Sequence, residues 1–493
     1  MPAISYWRRP GETMNAAGLL LGGEAAAVAL IEGDRRITYG ELRRQTELSA
    51  AVWAGLGLRA GDRCVIALPD GVDWVVAFLG LMWLGAVPVA ISPRTEAPLL
   101  RELADDCNAA ALLLADEAAA AFAGGRAAGL SAWRARHAGA AAGIAPWEAE
   151  EDAPAFWLYS SGTTGKPKGI VHAHRTAAQA HVFARDVLGA TSRDVFYSTS
   201  KLFFAYPLAN ALFAGLRLGA SVVLDAAWPN PERVAANVAC HRPTLFFSVP
   251  TLYRRLAEAG SPFASLRRAV SAGEACPTDV SAGWHRLTGV PLVNGYGTTE
   301  TFSLVLYRSE DMEGARPTPL TKLRVDVAEG GRDGAVRLWF SHPAVALGYS
   351  RPVMHDSARF GSGHFSPGDL FRPLGEEAVR GWLFAGRSDQ LLKVFGRWVD
   401  AVALEQTLAQ RLAGKICECC IVPVGAGGED TIALHLFAVA ANSDVSQARR
   451  DIEATFADLP AYQRPQAIHL LAELPRTETG KLRRGVLGKM IEA

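Results

Sequence analysis

Residues 160–169 combine serine, threonine, glycine and lysine directly after the short apolar segment 156–159. Glycines let the backbone turn with its N–H groups pointing inward, hydroxyls add hydrogen-bond donors, and lysines add positive charge. A polyphosphate needs these groups. The pattern is not a Walker A loop, because its glycines are closer together and Pro167 follows Gly165-Lys166. The sequence therefore predicts a polyphosphate loop after a buried strand, with a mobile surface loop as the alternative.

Further polar segments interrupt apolar surroundings at residues 271–274, 294–300, 368–369, 386–393 and 475–481. Each has an ordinary structural interpretation. Gly273 suits a turn, Asp369 suits a solvent loop, and Lys481 suits a charged surface. Their order and spacing carry more information than any one of them.

The elements that must position these segments follow from hydrophobic patterning. Strand-like and helix-like stretches alternate from residue 26 to residue 293, which predicts an α/β fold with parallel, helix-covered sheets. Thr38 and Glu41 have the spacing of a capping box at the start of a helix. Short alternating strands after Thr321 predict a small β-rich subdomain. We place a boundary at 388/389, giving an N-terminal domain 1–388 and a small α+β domain 389–493.

Composition excludes several classes of function. The 493 residues include 50 basic and 50 acidic side chains, so nothing favours nucleic acid or an anionic membrane as the partner. The apolar run 74–91 is interrupted by Gly85 and Pro88, which predicts a buried helix, a turn and a strand rather than a membrane span. Seven cysteines without paired C-x-x-C motifs do not predict zinc. Residues 417–420 fit a strand, and reduced thiols with no signal-peptide pattern lead us to expect a cytoplasmic protein.

Residues 159–169 and 296–300, together with the order of the other segments, closely resemble the acyl-adenylate-forming superfamily of acyl-CoA synthetases, peptide-synthetase adenylation domains and luciferases. The resemblance covers nearly the whole chain. It implies a large N-terminal domain, with the β-rich subdomain, that binds ATP and an acid, followed by a small mobile C-terminal lid domain.

The resemblance implies a role for each matching residue. Glu300 would hold Mg²⁺, while Thr298 and Thr299 would donate to the α-phosphate or the adjoining carboxylate. Asp369 would accept both ribose hydroxyls, and Arg387 would reach the ribose and the phosphate. The clamp for the β- and γ-phosphates would comprise Ser160, Ser161, Gly162, Thr163, Thr164 and Lys168. Tyr296 would form the adenine slot with Ala272, Gly273 and Asn294, and the neighbouring residues Glu274, Gly295 and Gly297 would also bind the cofactor.

Lys481 resembles the lysine that bridges the substrate carboxylate and the α-phosphate. In this superfamily the C-terminal domain then rotates about the position of Asp389. That rotation withdraws Lys481 and brings a loop containing Lys393 and Gly396 to the site, where Gly396 leaves room for the pantetheine arm of CoA. Gln390, Phe395 and the segment 366–367 depart from the usual pattern here, which bears on the thiol step rather than on adenylation.

Residues 201–210 look specifically like the acyl-binding segment of benzoate–CoA ligases and related aryl-CoA ligases. Phe204 and Tyr206 offer flat walls for a ring, and Ala205 leaves space beside them. Amino-acid-activating relatives carry an acid in this segment, whereas residues 203–207 contain none. The far end of the pocket would be formed by Phe302 and Leu304, with Ser303 facing a ring substituent.

The sequence thus predicts an ATP-dependent aryl-CoA ligase that activates benzoate, or a hydroxy- or aminobenzoate, through an acyl-adenylate. The products would be the aryl-CoA, AMP and pyrophosphate. An alternative is an enzyme that loads the aryl group onto the pantetheine of a carrier protein. A third is an adenylate-binding protein without catalysis. ATP, Mg²⁺ and CoA are the expected ligands, and a monomer or homodimer is the expected assembly.

Overall fold

The computed structural model describes residues 13–122, 125–160, 167–260, 263–326, 334–350, 359–361, 363–387, 391–394, 397–425, 432–441, 444–476 and 482–492. The chain divides into two compact units. The first comprises Met1–Arg324, Trp339–Pro367 and Ala378–Gly381. The second comprises Val325–Leu338, Gly368–Glu377 and Trp382–Ala493. The functional boundary at 388/389 stays a prediction.

The helices are numbered in chain order through the described residues. They are α1 Ala16–Leu20, α2 Tyr39–Gly55, α3 Val72–Leu84, α4 Ala97–Asp106, α5 Asp116–Ala121, α6 Leu130–Ala138, α7 Arg175–Ala178, α8 Val182–Asp186, α9 Ala205–Pro207, α10 Ala214–Leu218, α11 Pro231–His241, α12 Pro250–Ala259, α13 Thr278–Thr288, α14 Ala401–Arg411, α15 Val445–Ala457 and α16 Arg484–Glu492. A π-helix, Leu208–Phe213, joins α9 to α10.

The strands are numbered in the same way. They are β1 Val28–Glu32, β2 Arg35–Thr38, β3 Arg63–Ala67, β4 Val87–Ala90, β5 Ala109–Leu114, β6 Ala127–Gly129, β7 Pro154–Ser160, β8 Lys168–Ala173, β9 Val195–Ser198, β10 Ser221–Leu224, β11 Leu245–Ser248, β12 Arg268–Ser271, β13 Leu292–Tyr296, β14 Leu306–Arg308, β15 Arg316–Pro317, β16 Lys322–Asp326, β17 Val336–Ser341, β18 Gly348–Tyr349, β19 Phe360–Gly361, β20 His364–Phe365, β21 Asp369–Pro373, β22 Trp382–Arg387, β23 Leu391–Val394, β24 Arg397–Asp400, β25 Ile416–Gly425, β26 Ile432–Ala440 and β27 Ala467–Leu471.

The first unit contains a nine-stranded sheet with the order β15-β14-β13-β12-β11-β9-β10-β1-β2. Each neighbouring pair from β13 through β12, β11, β9 and β10 to β1 is parallel. Helices α11 and α12 begin with proline, whose fixed φ suits a first turn. The predicted α/β fold with a helix-covered parallel sheet is confirmed.

A seven-stranded sheet, β18-β8-β7-β4-β3-β5-β6, also lies in the first unit. The apolar run 74–91 lies in α3, a turn at Gly85 with φ 82°, and β4. The described residues contain no helix long and apolar enough to cross a membrane. Strand β8 is antiparallel to β7, which the strand–helix alternation does not predict.

Helix α2 shows how one local signal fixes an element. The Thr38 hydroxyl accepts from the Glu41 N–H, and the Glu41 carboxylate accepts from the Thr38 N–H at 2.8 Å, so the predicted capping box is present. Two N–H groups that lack intrahelical partners are thereby satisfied.

In the second unit, β21 pairs antiparallel with β22, β23 pairs with β24, and β25, β26 and β27 form a three-stranded sheet. Helices α14 and α15 pack apolar side chains, Leu408 and Ile452 among them, in one core with that sheet. Cys419 and Cys420 lie buried in β25, as the strand interpretation of residues 417–420 predicts.

Candidate active site

The two strands that flank the predicted phosphate loop form an antiparallel pair. Strands β7 and β8 pair in antiparallel register up to Ser160 and Lys168, which face each other where the hairpin closes. The four loop positions Ser161, Gly162, Thr163 and Thr164 lie outside the described residues. Ser160 and Lys168 are thus the described loop residues assigned to phosphate, and they lie opposite each other at the ends of β7 and β8.

Glu300 lies at the end of a turn that begins at Thr298. The Thr298 N–H donates to the Thr301 hydroxyl at 2.9 Å, and the Thr301 N–H donates back to the Thr298 hydroxyl at 3.3 Å. The backbone carbonyl of Glu300 accepts from the Ala346 N–H at 2.8 Å. Only 9% of Glu300 is exposed. The main chain around Glu300 is therefore fixed by hydrogen bonds. Its carboxylate is held separately, by the Tyr349 hydroxyl.

Tyr349 connects Glu300 to the hairpin. Its hydroxyl donates to Glu300 Oε1 at 2.9 Å, and Lys168 Nζ lies 5.4 Å from the centroid of its ring. Tyr349 belongs to β18, which pairs with β8 at Ile170. The structure therefore brings together the acid and one lysine that sequence reasoning assigns to metal and phosphate.

The donor set around Glu300 suits Mg²⁺. Among the described residues, the side-chain hydrogen bond to Glu300 reaches Oε1 and none reaches Oε2, so one carboxylate oxygen remains for a cation. No group of three or more His, Cys, Asp or Glu that could hold a metal occurs among the described residues. Mg²⁺ is commonly held by one or two carboxylates together with substrate phosphates, rather than by a cage of protein ligands.

A buried aromatic cluster supports the Thr298–Glu300 turn. Phe302, with φ 57° and 2% exposure, lies 5.1 Å from Phe156, 5.0 Å from His172 and 5.5 Å from Phe213, measured between ring centroids. Burial lowers the pKa of His172 to about 3, so this imidazole is neutral at any working pH. Phe302 is thus a packing residue here, and its contact with an aryl substrate stays a prediction.

The predicted adenine residues gather at one edge of the nine-stranded sheet. Ala272 and Gly273 follow β12, Tyr296 ends β13, and Asn294 lies within β13 opposite Ser271, the last residue of its parallel neighbour β12. In such sheets ligands bind beyond the carboxyl ends of the strands. Asn294 Oδ1 is buried and finds no partner among the described residues. Such an acceptor suits the exocyclic amine of adenine.

Close approaches favour glycine at two of these positions, against backbone at Gly297 and against the Leu304 side chain at Gly295. A Cβ on Gly297 would lie 2.7 Å from the Ser303 carbonyl oxygen, and one on Gly295 would lie 2.4 Å from Leu304 Cδ1. Leu304 and Ser303 are both buried, at 3% and 5% exposure. Glu274 lies farther out, where its Oε2 accepts from the Thr251 hydroxyl at 3.1 Å.

The predicted aryl segment is rigid. The ring of Phe204 packs on Phe203 with centroids 4.2 Å apart, and the Tyr206 hydroxyl donates to the Val270 carbonyl at 2.8 Å. Asn210 Nδ2 donates to the Tyr206 carbonyl at 2.9 Å across the π-helical turn. Ala205 is buried at 7% exposure. Tyr206 therefore presents its ring, while its hydroxyl is already hydrogen-bonded to strand β12.

Two buried charged side chains fix the start of this segment. Both oxygens of Asp70 accept from the Leu202 N–H, at 3.1 and 3.3 Å. Lys201 Nζ donates to the carbonyls of Asp225 and Ala227, at 2.7 and 2.5 Å. Burial raises the pKa of Asp70 to about 7, although Lys201 and the Leu202 N–H oppose the shift.

This shift predicts a pH-dependent stability. Folded Asp70 keeps its proton to about pH 7, whereas its ordinary pKa is 3.8, so stability falls as pH rises between these values. The slope is at most about 1.4 kcal/mol per pH unit. Asp70→Asn keeps a carbonyl acceptor for the Leu202 N–H and does not titrate. Denaturant unfolding from pH 5 to pH 8 should therefore show a shallower loss of stability for this variant than for wild type.

The matched control for that experiment is Asp311→Asn, which changes an exposed carboxylate. This control should follow the wild-type pH slope. An Asp70→Asn variant with the wild-type slope would contradict a raised pKa at Asp70.

In the second unit, Asp369 is buried at 5% exposure and is the cross-strand register partner of Arg387. The predicted ribose pair is therefore adjacent in the β21–β22 hairpin. Lys393 lies in β23 opposite Trp398. Asp389, Gly396 and Lys481 lie outside the described residues; Arg476 and Leu482, which flank the segment containing Lys481, form an isolated antiparallel bridge.

This fold is that of an adenylate-forming enzyme. The chain belongs to the AMP-binding enzyme family, which matches residues 22–350. Two similar relatives are the 3-hydroxybenzoate–CoA ligase of Aromatoleum sp. (strain CIB), 31% identical over 519 residues and covering 97% of each chain, and the benzoate–CoA ligase of Thauera aromatica, 33% identical and covering 98% of this chain and 96% of that one. A crystal structure of an anthranilate CoA ligase with anthranoyl-AMP superposes with a TM-score of 0.85 at 26% identity, covering 99% of both chains.

Sequence reasoning missed Tyr349, Asp70 and His172. Tyr349 bonds a residue 49 positions away, and Asp70 bonds one 132 positions away. His172 follows the phosphate loop by a few residues on β8, but its burial depends on Phe302. No local pattern marks such long-range contacts.

Proposed function

We propose that this protein is an ATP-dependent aryl-CoA ligase that converts benzoate or a substituted benzoate to its CoA thioester. The observation that carries the proposal is the grouping of Glu300, Tyr349 and Lys168 at the hairpin that ends in the predicted phosphate loop. Its relatives by sequence, named as benzoate, hydroxybenzoate and anthranilate CoA ligases, supply the substrate class.

In the first step, a carboxylate oxygen of the acid bonds to the α-phosphorus of ATP, and the bond from that phosphorus to the bridging oxygen breaks. Pyrophosphate leaves with the electron pair. A carboxylate is ionised at neutral pH, so no general base is required. Mg²⁺ held by Glu300 would neutralise phosphate charge. Lys168 and the loop hydroxyls would orient the departing pyrophosphate, and Thr298, Thr299 and Lys481 would stabilise charge at the α-phosphate.

The nucleotide is held by residues with separate tasks. Asn294 Oδ1 would accept from the adenine amine, and Tyr296 would face the ring. Asp369 would accept from both ribose hydroxyls, with Arg387 beside it. These contacts bind the substrate in one orientation, which lowers the entropic cost of reaction.

In the second step, the thiolate sulfur of CoA attacks the acyl carbon of the aryl-adenylate. The bond from that carbon to the phosphate oxygen breaks, and AMP leaves. Lys393 and Gly396 are proposed for this step, by the resemblance that places their loop beside the pantetheine arm. Asp389 is proposed as the hinge.

The aryl specificity is supported by rigid aromatic side chains rather than by charge. Residues 203–207 contain no acid that would bind an α-ammonium group. Phe204 and Tyr206 are fixed by packing and by the bond to Val270. A planar ring gains more than a flexible chain from such walls, because its own ordering costs little entropy. The segment therefore favours benzoates over amino acids and long-chain fatty acids.

Loading of a carrier protein, the alternative raised by Gln390 and Phe395, is not favoured, since five relatives at 30–33% identity are named as CoA ligases. The test is to incubate the protein with ATP, Mg²⁺, CoA and either benzoate, 3-hydroxybenzoate or anthranilate. We expect AMP, pyrophosphate and the aryl-CoA in equal amounts. Pyrophosphate exchange without any CoA thioester would contradict the proposal and favour the carrier-protein alternative.

A further inference from the structure

We propose that Tyr349 is a positioning residue that couples the metal-binding acid to the phosphate-binding lysine. The inference rests on the proposed function, because it concerns Mg²⁺ and ATP at the same site. Tyr349 touches both groups through different parts of its side chain: its hydroxyl binds Glu300 and its ring faces Lys168.

The hydroxyl determines which carboxylate oxygen is available. It donates to Glu300 Oε1 at 2.9 Å, and no hydrogen bond from the described residues reaches Oε2. A hydrogen bond to a charged acceptor fixes the carboxylate plane. The cation would therefore meet Oε2 in one orientation. Groups that orient a metal ligand in this way typically change metal affinity 10- to 100-fold when removed.

The backbone holds Tyr349 in place independently of its side chain. Tyr349 pairs with Ile170 and Gly348 with Val171 across the β18–β8 ladder. The Ser350 N–H donates to the Gly169 carbonyl at 2.8 Å. The ring is further fixed by Phe360, whose centroid lies 5.3 Å away at an interplanar angle of 86°.

The ring acts on Lys168. An ammonium 5.4 Å from the centroid of a tyrosine ring lies within the range of a cation–π interaction. Lys168 is also the residue that closes the hairpin opposite Ser160. A cation–π contact favours the orientation of the Lys168 stem in which its ammonium lies over the Tyr349 ring. The Tyr349 side chain therefore positions two groups. These are the Lys168 ammonium, which would bind phosphate, and the Glu300 carboxylate, which would bind the metal.

Two variants separate these effects. Tyr349→Phe removes the hydroxyl and keeps the ring, while Tyr349→Leu removes both. The readout is the binding of Mn²⁺, followed by electron paramagnetic resonance of the free ion, in the presence of α,β-methylene-ATP. We expect Tyr349→Phe to weaken Mn²⁺ binding about 10-fold. Affinity for the nucleotide without any divalent cation should be unchanged in Tyr349→Phe and reduced several-fold in Tyr349→Leu, because only the second variant loses the ring that faces Lys168.

Tyr253→Phe is the matched control, since it removes a buried hydroxyl that bonds the carbonyls of Phe246 and Val270 instead. It should leave Mn²⁺ binding unchanged. Glu300→Gln serves as the reference for loss of the metal ligand. Mn²⁺ binding within twofold of wild type in Tyr349→Phe, alongside a large loss in Glu300→Gln, overturns the inference alone. Unchanged binding in Glu300→Gln overturns the metal role of Glu300 and the inference with it. Equal nucleotide affinity in the Phe and Leu variants overturns the role of the ring.

Discussion

Lys481→Ala is expected to reduce formation of the aryl-adenylate about 10²- to 10³-fold, the size of effect seen when one group that stabilises a developing charge is removed. The difficulty of the first step is that a carboxylate must approach an anionic phosphate. A cation at the point where charge builds up addresses this directly, and alanine removes it. The rate is measured as exchange of labelled pyrophosphate into ATP in the presence of benzoate.

The same variant should convert supplied benzoyl-adenylate and CoA to benzoyl-CoA at close to the wild-type rate, because the resemblance assigns Lys481 to the first step only. Lys489→Ala in α16 changes an exposed lysine and should leave both steps intact. Equal loss of both steps in Lys481→Ala would contradict the assignment of this lysine to adenylation.

Glu300→Gln is expected to reduce the adenylation rate about 100-fold and to raise the Mg²⁺ concentration needed for half-maximal exchange. The amide retains a carbonyl oxygen that can accept from the Tyr349 hydroxyl, so the local geometry is preserved. The negative charge that binds the cation is lost. Loss of a single charge-stabilising group is generally worth several kcal/mol in the transition state.

Rates of pyrophosphate exchange measured across a Mg²⁺ titration separate the two expected effects of Glu300→Gln. One is the lower maximal rate and the other is the higher Mg²⁺ requirement. Glu313→Gln is the control, since Glu313 pairs with Arg380 on the surface and both side chains are more than half exposed. An exposed pair of this kind contributes about 0–1 kcal/mol. A Glu300→Gln enzyme with the wild-type Mg²⁺ dependence would show that Glu300 does not hold the metal.

Local patterns predicted the elements well where the signal lies within a few residues. The capping box at Thr38 and Glu41, the break at Gly85 after α3, and the prolines that open α11 and α12 are examples. Each depends on backbone geometry within one turn. The buried strand before the phosphate loop was predicted for the same reason, because a short apolar run ends at a cluster of glycine and hydroxyl residues.

Other features depend on contacts that no local pattern contains. The antiparallel pairing of β8 with β7 was missed, since the intervening loop has a ligand-binding composition rather than hairpin-turn chemistry. Helices α5 and α6 lie in an alanine-rich segment whose weak patterning indicated no elements. The π-helix after α9 is likewise set by tertiary packing.

For the site, motif resemblance identified Glu300 and Lys168, and the structure added how they are joined. Tyr349 had no signal of its own, because its partner is 49 residues away. Asp70 had no signal of its own either, because the Leu202 N–H that it accepts from is 132 residues away. The roles of Asp389, Gly396 and Lys481 still rest on the resemblance.

The adenylate mechanism is tested by following the carboxylate oxygens of the acid. Benzoate labelled with ¹⁸O in both oxygens is converted to benzoyl-CoA with ATP, Mg²⁺ and CoA, and the nucleotide and phosphate products are examined by mass spectrometry. Attack on the α-phosphorus predicts one ¹⁸O atom in each AMP and none in pyrophosphate. Release of ADP, or ¹⁸O in orthophosphate or pyrophosphate, would contradict an aryl-adenylate intermediate.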